Sequence, residues 1–243
     1  MWKKKTPAIE FINEIPGVAE LMPLILARDH RQPWVNRVVQ NFAEFRQTPH
    51  WQHNRVVHTA RCPGIFSLQR HGWILRNWQD IEIETTGDGH TFNWRSPSCA
   101  GGDPVGFHPP EQLSDYFDHW PQHTLRTIVK IHTGWRCIIP KGYYLMEMPV
   151  ALNDESRFST VPGYFMREHG PAQMNVQLLW HVLEGKTLIK AGTPLAQYVL
   201  VPKDQPEMTC RTAQPSDGFD VFNRLQESRW VKNYQQVKKL FSQ

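Results

Sequence analysis

Five polar residues between positions 108 and 132 have side chains that suit a binding site for a small polar or charged molecule: His108, Glu111, Gln112, Lys130 and His132. The run His108-Pro-Pro-Glu111 places an imidazole and a carboxylate three residues apart on a loop. A lysine neutralises a phosphate as a point charge, and a histidine exchanges a proton near neutral pH. We therefore predict a ligand site where the loop 108–112 approaches the strand that carries Lys130 and His132.

Aromatic residues near the same strand complete the predicted ligand-binding set. Trp135 and Tyr143 belong to it because an aromatic face stacks on a base or a sugar without sequence preference, and Tyr144 and Trp180 are further candidates. The alternative for these aromatic residues is a place in the hydrophobic core, since aromatic side chains at alternating strand positions are typical of β cores. For the histidines the alternative is a structural histidine with satisfied hydrogen bonds.

No metal site and no cofactor are predicted. The four cysteines, Cys62, Cys99, Cys137 and Cys210, lie far apart and form no CxxC pair of the kind that binds structural zinc. The sequence contains no GxSxG, GxxxxGK[ST], GxGxxG, HExxH or EF-hand pattern. These observations exclude several enzyme classes but leave open whether the chain is an enzyme.

Two stretches rich in apolar residues predict the centre of the fold, 130–152 and 183–202. Each is interpreted as strand, Pro/Gly-bearing turn and strand, so we predict two central hairpins of a closed or sandwiched β structure. A third hairpin is predicted over 80–94, because Ile81 and Ile83 alternate with glutamates before a Gly-rich turn. The alternation at 174–183 predicts a further strand.

Helical periodicity occurs near both ends of the chain. The apolar positions Val35, Val38, Phe42 and Phe45 share one helical face and predict a helix over 34–47. Six apolar residues at close to helical spacing predict a second helix over 219–241. Residues 8–27 are interpreted as short strands, or as one strand and one helical turn. A turn is predicted at 62–64, followed by strand from residue 65.

Length and composition favour one mainly β domain. The chain has 243 residues, of which 40% are hydrophobic and 21% charged, with 10 Trp, 19 Pro and a formal net charge of +4. We predict an N-terminal segment over 1–55, a β core over 56–202, and a tail with the second helix over 203–243. No 18-residue apolar run or apolar signal segment is present, so we expect free thiols, a reducing cytoplasm and no membrane partner.

The spacing Gly134-x5-Pro140-x-Gly142-x2 resembles the second cupin motif, with Leu145 at the place of the family's metal-binding histidine. The resemblance implies a turn of jelly-roll type without the cupin metal centre.

Residues 138–202 resemble the last strands of the trimeric dUTPase and dCTP deaminase barrel. Gly163-Tyr164 stands for the family's glycine-tyrosine strand, and the turn Ala191-Gly192-Thr193-Pro194-Leu195-Ala196-Gln197 follows. The resemblance implies a jelly-roll or dUTPase-like barrel or sandwich, self-association as a trimer, and nucleotide as a ligand. The family's aspartate is replaced around 166–169, and no Arg-Ser-Ser run is present. We therefore expect this chain to share the family's fold but not its catalytic activity.

The order of the motifs CPGI, GWIL, FNW, FHPPEQ, KxHxGW, PxGYY and AGTPLAQ resembles a set of uncharacterised proteins of tailed bacteriophages. This resemblance implies a non-catalytic phage protein that acts by binding, either as a virion or assembly component or as a factor that engages a host molecule. Its expected location is the virion or the host cytoplasm. The alternative is a nucleotide- or small-anion-binding enzyme or sensor on a degenerate dUTPase-like barrel.

Overall fold

The computed structural model describes residues 8–48 and 63–220. Internal contacts divide the chain into two compact units. The described parts of the first unit are 8–35 and 63–204, and those of the second are 36–48 and 205–220. Every described strand belongs to the first unit. The prediction of one domain over the whole chain stays a prediction.

Three α-helices lie in the described ranges: α1 (Val18–Leu21), α2 (Pro33–Phe45) and α3 (Pro63–Arg70). The helix predicted over 34–47 is confirmed by α2. Both longer helices begin with proline, which suits the first helical turn because its fixed φ is already helical and the missing N–H is not needed there. Phe219 and Asp220 are helical, and the rest of the prediction of a helix over 219–241 falls outside the described residues.

The turn at 62–64 and the strand from residue 65 were predicted wrongly, because Pro63–Arg70 forms α3. Its partly buried side chains, Ile65, Phe66 and Gln69, recur at i, i+1 and i+4 and so share one helical face. The strand begins only at Trp73, after Gly72, whose φ of 81° is the left-handed conformation that glycine adopts without strain.

Fifteen short strands fill the described part of the first unit. They are β1 (Glu10–Asn13), β2 (Ile25–Leu26), β3 (Trp73–Arg76), β4 (Ile81–Thr86), β5 (Phe92–Arg95), β6 (Val105–His108), β7 (Ile128–Ile131), β8 (Trp135–Ile138), β9 (Tyr143–Met148), β10 (Phe158–Thr160), β11 (Gly163–Met166), β12 (Ala172–Gln173), β13 (Val176–Trp180), β14 (Glu184–Ile189) and β15 (Pro194–Pro202).

The strands form four sheets in which each described strand pair is antiparallel. Sheet A has the order β1-β8-β12, sheet B β11-β9-β15-β3-β2, sheet C β14-β4-β5, and sheet D β10-β13-β7-β6. The predicted mainly β fold with antiparallel sheets and a helix near the N-terminal end is therefore confirmed.

The two central hairpins were predicted wrongly, although their strands exist. β8 pairs with β1 and β12, whereas β9 pairs with β11 and β15. Likewise β14 pairs with β4, whereas β15 pairs with β3 and β9. The Pro/Gly segments between these strands carry the chain from one sheet to another, because alternation shows that a strand has a buried face but does not identify its neighbour. The hairpin over 80–94 is confirmed by the pairing of β4 with β5.

One hydrophobic cluster receives side chains from all four sheets, including Trp135 of sheet A, Leu145 of sheet B, Ile83 of sheet C and Leu178 of sheet D. Each fully buried aliphatic side chain of this kind contributes about 1.5–3 kcal/mol. Sheets B and D therefore lie against a common core, and polar groups on their strands are held in fixed positions. No helix within 8–48 or 63–220 is long and apolar enough to span a membrane.

Candidate ligand-binding site

A carboxyl group is built into the apolar interior of sheet B. Glu147 lies on β9, between Gly163 of β11 and Tyr198 of β15, its cross-strand partners. Side chains directly opposite each other in an antiparallel pair point to the same face. That face is the core side, because Leu145, two residues earlier on β9, is fully buried. Glu147 itself is only 2% exposed.

Gly163 leaves an open space next to the Glu147 carboxyl. A Cβ atom built on Gly163 would meet no atom within 4 Å, so the place of a side chain next to Glu147 is empty. A cavity of about 380 Å³ lies here, lined by Glu147, Phe165, Gln177, His108 and Gln112 among others. Its volume falls within the usual range for small-molecule sites, roughly 300–1,000 Å³.

Burial keeps the Glu147 carboxyl neutral. Desolvation raises the pKa of Glu147 to about 8, although the hydrogen bond from Tyr198 lowers it in part. The Tyr198 hydroxyl donates to Oε2 of Glu147 at 2.6 Å, and burial with the nearby carboxyl raises the pKa of Tyr198. The other carboxyl oxygen has no partner among the described residues. At pH 7 this group is therefore a carboxylic acid that can donate a hydrogen bond into the cavity.

His108 and Gln112 form a second polar group at the same cavity. His108 ends β6, and the 3₁₀ turn Pro110–Gln112 brings the Gln112 amide back to its ring. Nδ1 of His108 lies 2.6 Å from Oε1 of Gln112. Because an amide oxygen only accepts, Nδ1 of His108 donates, which leaves Nε2 available to a ligand. Glu111, also predicted as a ligand residue, is exposed on this turn and does not line the cavity.

A second cavity, of about 330 Å³, contains three other predicted residues: Lys130, His132 and Trp135. Nδ1 of His132 donates to the Asp103 carbonyl at 2.7 Å, which leaves Nε2 available. A Cβ on Gly106 would lie 3.0 Å from the His132 ring, so glycine at this position makes room for the imidazole. The Lys130 ammonium has no ion-pair partner among the described residues. Trp135 is 5% exposed and belongs mainly to the core.

The predicted ligand residues are therefore divided between two cavities. His108 and Lys130 lie on one face of sheet D, where His108 is opposite Ile128 and Lys130 is opposite Gly106. Each belongs to a different cavity. Tyr143 lines neither cavity and packs against the core, and Trp180 is buried within the core.

Glu147 was missed from the sequence, although a signal for it exists. In the apolar run YYLMEM of β9, Glu147 has the same parity as Leu145, and period-two alternation places both on the inner face. A lone acidic residue at an inward position is a candidate for a raised pKa.

Within the described ranges, no group of three or more His, Cys, Asp or Glu side chains is arranged to hold a metal ion. Of the cysteines there, Cys99, Cys137 and Cys210 are free thiols. Burial raises the pKa of Cys137 to about 11, so this thiol stays protonated at neutral pH.

No protein-family profile matches the sequence, and no curated protein matches it significantly. Among solved structures, a mutant dUTPase from phage phi11 of S. aureus is similar over 58% of this chain and 83% of its own, at 12% identity and a TM-score of 0.33. A mutant dUTPase of Staphylococcus bacteriophage 80alpha with dUpNHpp is similar over 59% of this chain and 76% of its own, at 12% identity and a TM-score of 0.31. The chain thus has a weak dUTPase-like resemblance, at a level that carries no argument about its activity, substrate or assembly.

Proposed function

We propose that this chain is a bacteriophage protein that acts by binding, and that its ligand is a small, neutral, polar molecule held in the cavity of Glu147. The observation that supports the proposal is the buried, neutral carboxyl of Glu147, which borders the cavity beside Gly163. Strongly perturbed carboxyl groups in a cavity are typical of functional sites.

The lining of the cavity defines the chemistry of the ligand. Glu147 offers a hydrogen-bond donor, Gln177 offers an amide that both donates and accepts, and His108 offers its Nε2 atom. Tyr164 and Phe165 supply apolar walls. Among the described residues, no lysine or arginine lines the cavity, so the site offers an anionic ligand neither of these cations. A planar amide-bearing molecule, such as a free nucleobase or a nucleoside, fits these groups better than a nucleotide does.

A thermal-shift screen of nucleobases, nucleosides and primary amides tests this assignment. A ligand at 100 times its dissociation constant adds about 2.7 kcal/mol to the free energy of unfolding. Gly163→Val fills the opening and should abolish the shift, whereas Lys130→Ala, in the other cavity, should leave it unchanged. A shift that survives Gly163→Val, or a folded protein that responds to no member of the panel, would overturn the proposal.

The proposal that this is a phage protein rests on the order of the sequence motifs. Its two alternatives are a virion or assembly role and engagement of a host molecule. Mass spectrometry of purified virions separates these two roles. Absence from virions together with failure to capture any phage or host partner from infected cells contradicts both.

Self-association, as a trimer, is part of the same proposal. Multi-angle light scattering of the purified chain gives the mass directly, and a monomer at micromolar concentration contradicts it.

A second candidate function, binding of a nucleotide or another small anion by an enzyme or sensor, is favoured by the cavity of Lys130. There an ammonium without an ion-pair partner in the described residues lies beside His132 and Trp135. Phosphate, pyrophosphate and nucleoside triphosphates should then raise the unfolding temperature, and Lys130→Ala should remove the effect. Lys141→Ala, on the exposed turn before β9, is the matched control. Equal responses of the two variants would exclude this site.

A further inference from the structure

A serine, a histidine and a threonine form one hydrogen-bonded chain beside sheet D, apart from both cavities described above. His181 follows β13, and its backbone N–H donates to the Arg157 carbonyl at 2.8 Å, which holds the residue against β10. Nε2 of its ring lies 3.0 Å from Oγ of Ser159. Nδ1 lies 3.0 Å from Oγ1 of Thr124. The imidazole is therefore fixed on both sides.

The threonine determines which nitrogen of His181 carries the proton. Oγ1 of Thr124 lies 3.3 Å from the Gln122 carbonyl, and a carbonyl only accepts, so the single hydroxyl proton is directed there. Toward His181 the Thr124 hydroxyl must then accept, which places the ring proton on Nδ1. Nε2 is left with its lone pair directed at the Ser159 hydroxyl. Burial lowers the pKa of His181, so the ring is neutral at pH 7 and suited to act as a base.

The backbone of β10 supplies a hydrogen-bond donor next to the serine. β10 is an edge strand of sheet D. The Arg157 carbonyl accepts from the N–H of His181, just after β13, and the Val161 N–H donates to Gln177 of β13. In an antiparallel ladder the N–H groups of the alternate residues, including Thr160, therefore point to the open edge. The Thr160 N–H has no acceptor among the described residues. A donor adjacent to a nucleophile can stabilise the oxyanion of an acyl-transfer reaction.

We propose that Ser159 is an activated nucleophile that accepts a small acyl group from an ester. This inference goes beyond the proposed binding function and concerns separate residues. Oγ of Ser159 attacks the ester carbonyl while its proton passes to Nε2 of His181. The bond to the leaving alcohol breaks as His181 returns the proton to the alcohol oxygen. Water then repeats the sequence at the acyl-serine, releasing the acid and restoring the Ser159 hydroxyl.

The space beside Ser159 limits the acyl group. A cavity of about 80 Å³ lies here, lined by Ser159, Thr160, Leu195 and Asn153 among others. Because this cavity is small, we expect an acetyl ester to react faster than an ester of a long acyl chain. Thr124 is a positioning residue, since it acts on the serine only through the ring of His181.

The test uses p-nitrophenyl acetate and p-nitrophenyl octanoate with the full chain, and follows nitrophenol release and intact mass. We expect one acetyl group per chain, located on Ser159, and slower reaction with octanoate. Ser159→Ala should abolish the labelling, and His181→Gln should slow it by about a hundredfold or more. Ser156→Ala, an exposed serine three residues away, is the matched control and should react as the unmodified protein does.

Two further readouts separate a reactive serine from a structural hydrogen bond. The acylation rate should rise with pH through the lowered pKa of His181 and then level off. Thr124→Val should slow acylation, and Thr124→Ser should restore it. Acetylation that persists in Ser159→Ala, or folded protein that is neither acetylated nor able to release nitrophenol above the uncatalysed background, would overturn the inference.

Discussion

The carboxyl of Glu147 and the hydroxyl of Tyr198 are joined by a 2.6 Å hydrogen bond inside the core, on adjacent strands of sheet B. The pair combines a fully buried phenol with a carboxyl that has one oxygen left for another partner. A polar pair of this kind fixes the protonation state of its members and so couples the stability of the protein to pH.

The free energy of unfolding should fall as pH rises from about 4.5 to about 8. In this interval the folded protein retains a proton on Glu147, whose pKa is raised from 4.5 to about 8, while the unfolded chain has lost it. Stability then decreases by about 1.4 kcal/mol for each pH unit from this group. Urea titrations across the interval measure the slope. Glu147→Gln keeps a neutral polar side chain and should remove this contribution, whereas Glu20→Gln, an exposed control on α1, should not. Equal slopes in both variants would contradict the assignment.

Gly72→Ala should destabilise the protein far more than Gly142→Ala. The two glycines have φ angles of 81° and 82°, so the conformational strain of a side chain, about 1–2 kcal/mol, is the same in both. A Cβ on Gly72 would lie 1.9 Å from the Tyr198 carbonyl oxygen, while one on Gly142 would meet nothing within 4 Å. We expect a loss of about 3 kcal/mol or more for Gly72→Ala. Chemical denaturation of both variants gives the difference, and similar losses would show that β3 and β15 can separate at this point.

Gln197→Met should lower the free energy of unfolding by at least about 2 kcal/mol. The Gln197 amide is fully buried, donates to the carbonyls of Leu68 and His71 at 2.8 Å, and accepts from the N–H of Ala151 at 3.1 Å. Methionine keeps the volume but removes these three hydrogen bonds. The His71 carbonyl and the Ala151 N–H are left without a partner among the described residues, while the Leu68 carbonyl still accepts from the His71 N–H at 3.2 Å. Gln173→Met, on the exposed end of β12, is the control and should change stability by less than about 0.5 kcal/mol.

Leu152→Gly should stabilise the protein slightly. Leu152 has a φ of 53°, which strains a residue with a Cβ, and its side chain is 58% exposed. Relief of about 1–2 kcal/mol of strain exceeds the entropic cost of glycine, about 0.5–1 kcal/mol. The unfolding temperature of Leu152→Gly should therefore rise. In the control Leu21→Gly, at an exposed leucine in α1, the unfolding temperature should fall. A decrease for Leu152→Gly would mean that the side chain makes a contact worth more than the strain.

Local sequence patterns predicted the helices and strands better than they predicted which strands pair with each other. Alternation identified β4, β5 and β13, and helical spacing identified α2, because these patterns depend on neighbours within a few residues. The pairing of β8 with β1 depends on the sum of contacts between segments more than a hundred residues apart, which no local pattern records. For the same reason, the sequence did not show that His108 and Lys130 belong to different cavities. It also did not show the role of Gly163, since an opening beside a buried carboxyl exists only when two strands lie side by side.

The motif turn 191–197 was predicted as part of a hairpin, and its glutamine has a different role. Gln197 accepts from Ala151 and donates to two carbonyls at the C-terminal end of α3. The Leu68 carbonyl also accepts from the His71 N–H at 3.2 Å, whereas the His71 carbonyl lies just beyond the helix and accepts only from Gln197 among the described residues. The sequence shows the glutamine but not the helix end, because residues 62–64 were interpreted as a turn and the following residues as a strand.

The pairing of early strands with late ones also determines when the chain can fold as it is synthesised. Glu10 of β1 lies opposite Ile138, and Trp73 of β3 lies opposite Tyr198. More than half of the 243 residues must leave the ribosome before β1 has its partner β8. β3 can pair early with the short strand β2, but its second neighbour is β15, the last described strand. Contacts of such long sequence separation fold slowly, and unpaired strand edges associate with other chains in the meantime. We therefore expect rapid expression of the chain to require chaperones and to favour inclusion bodies.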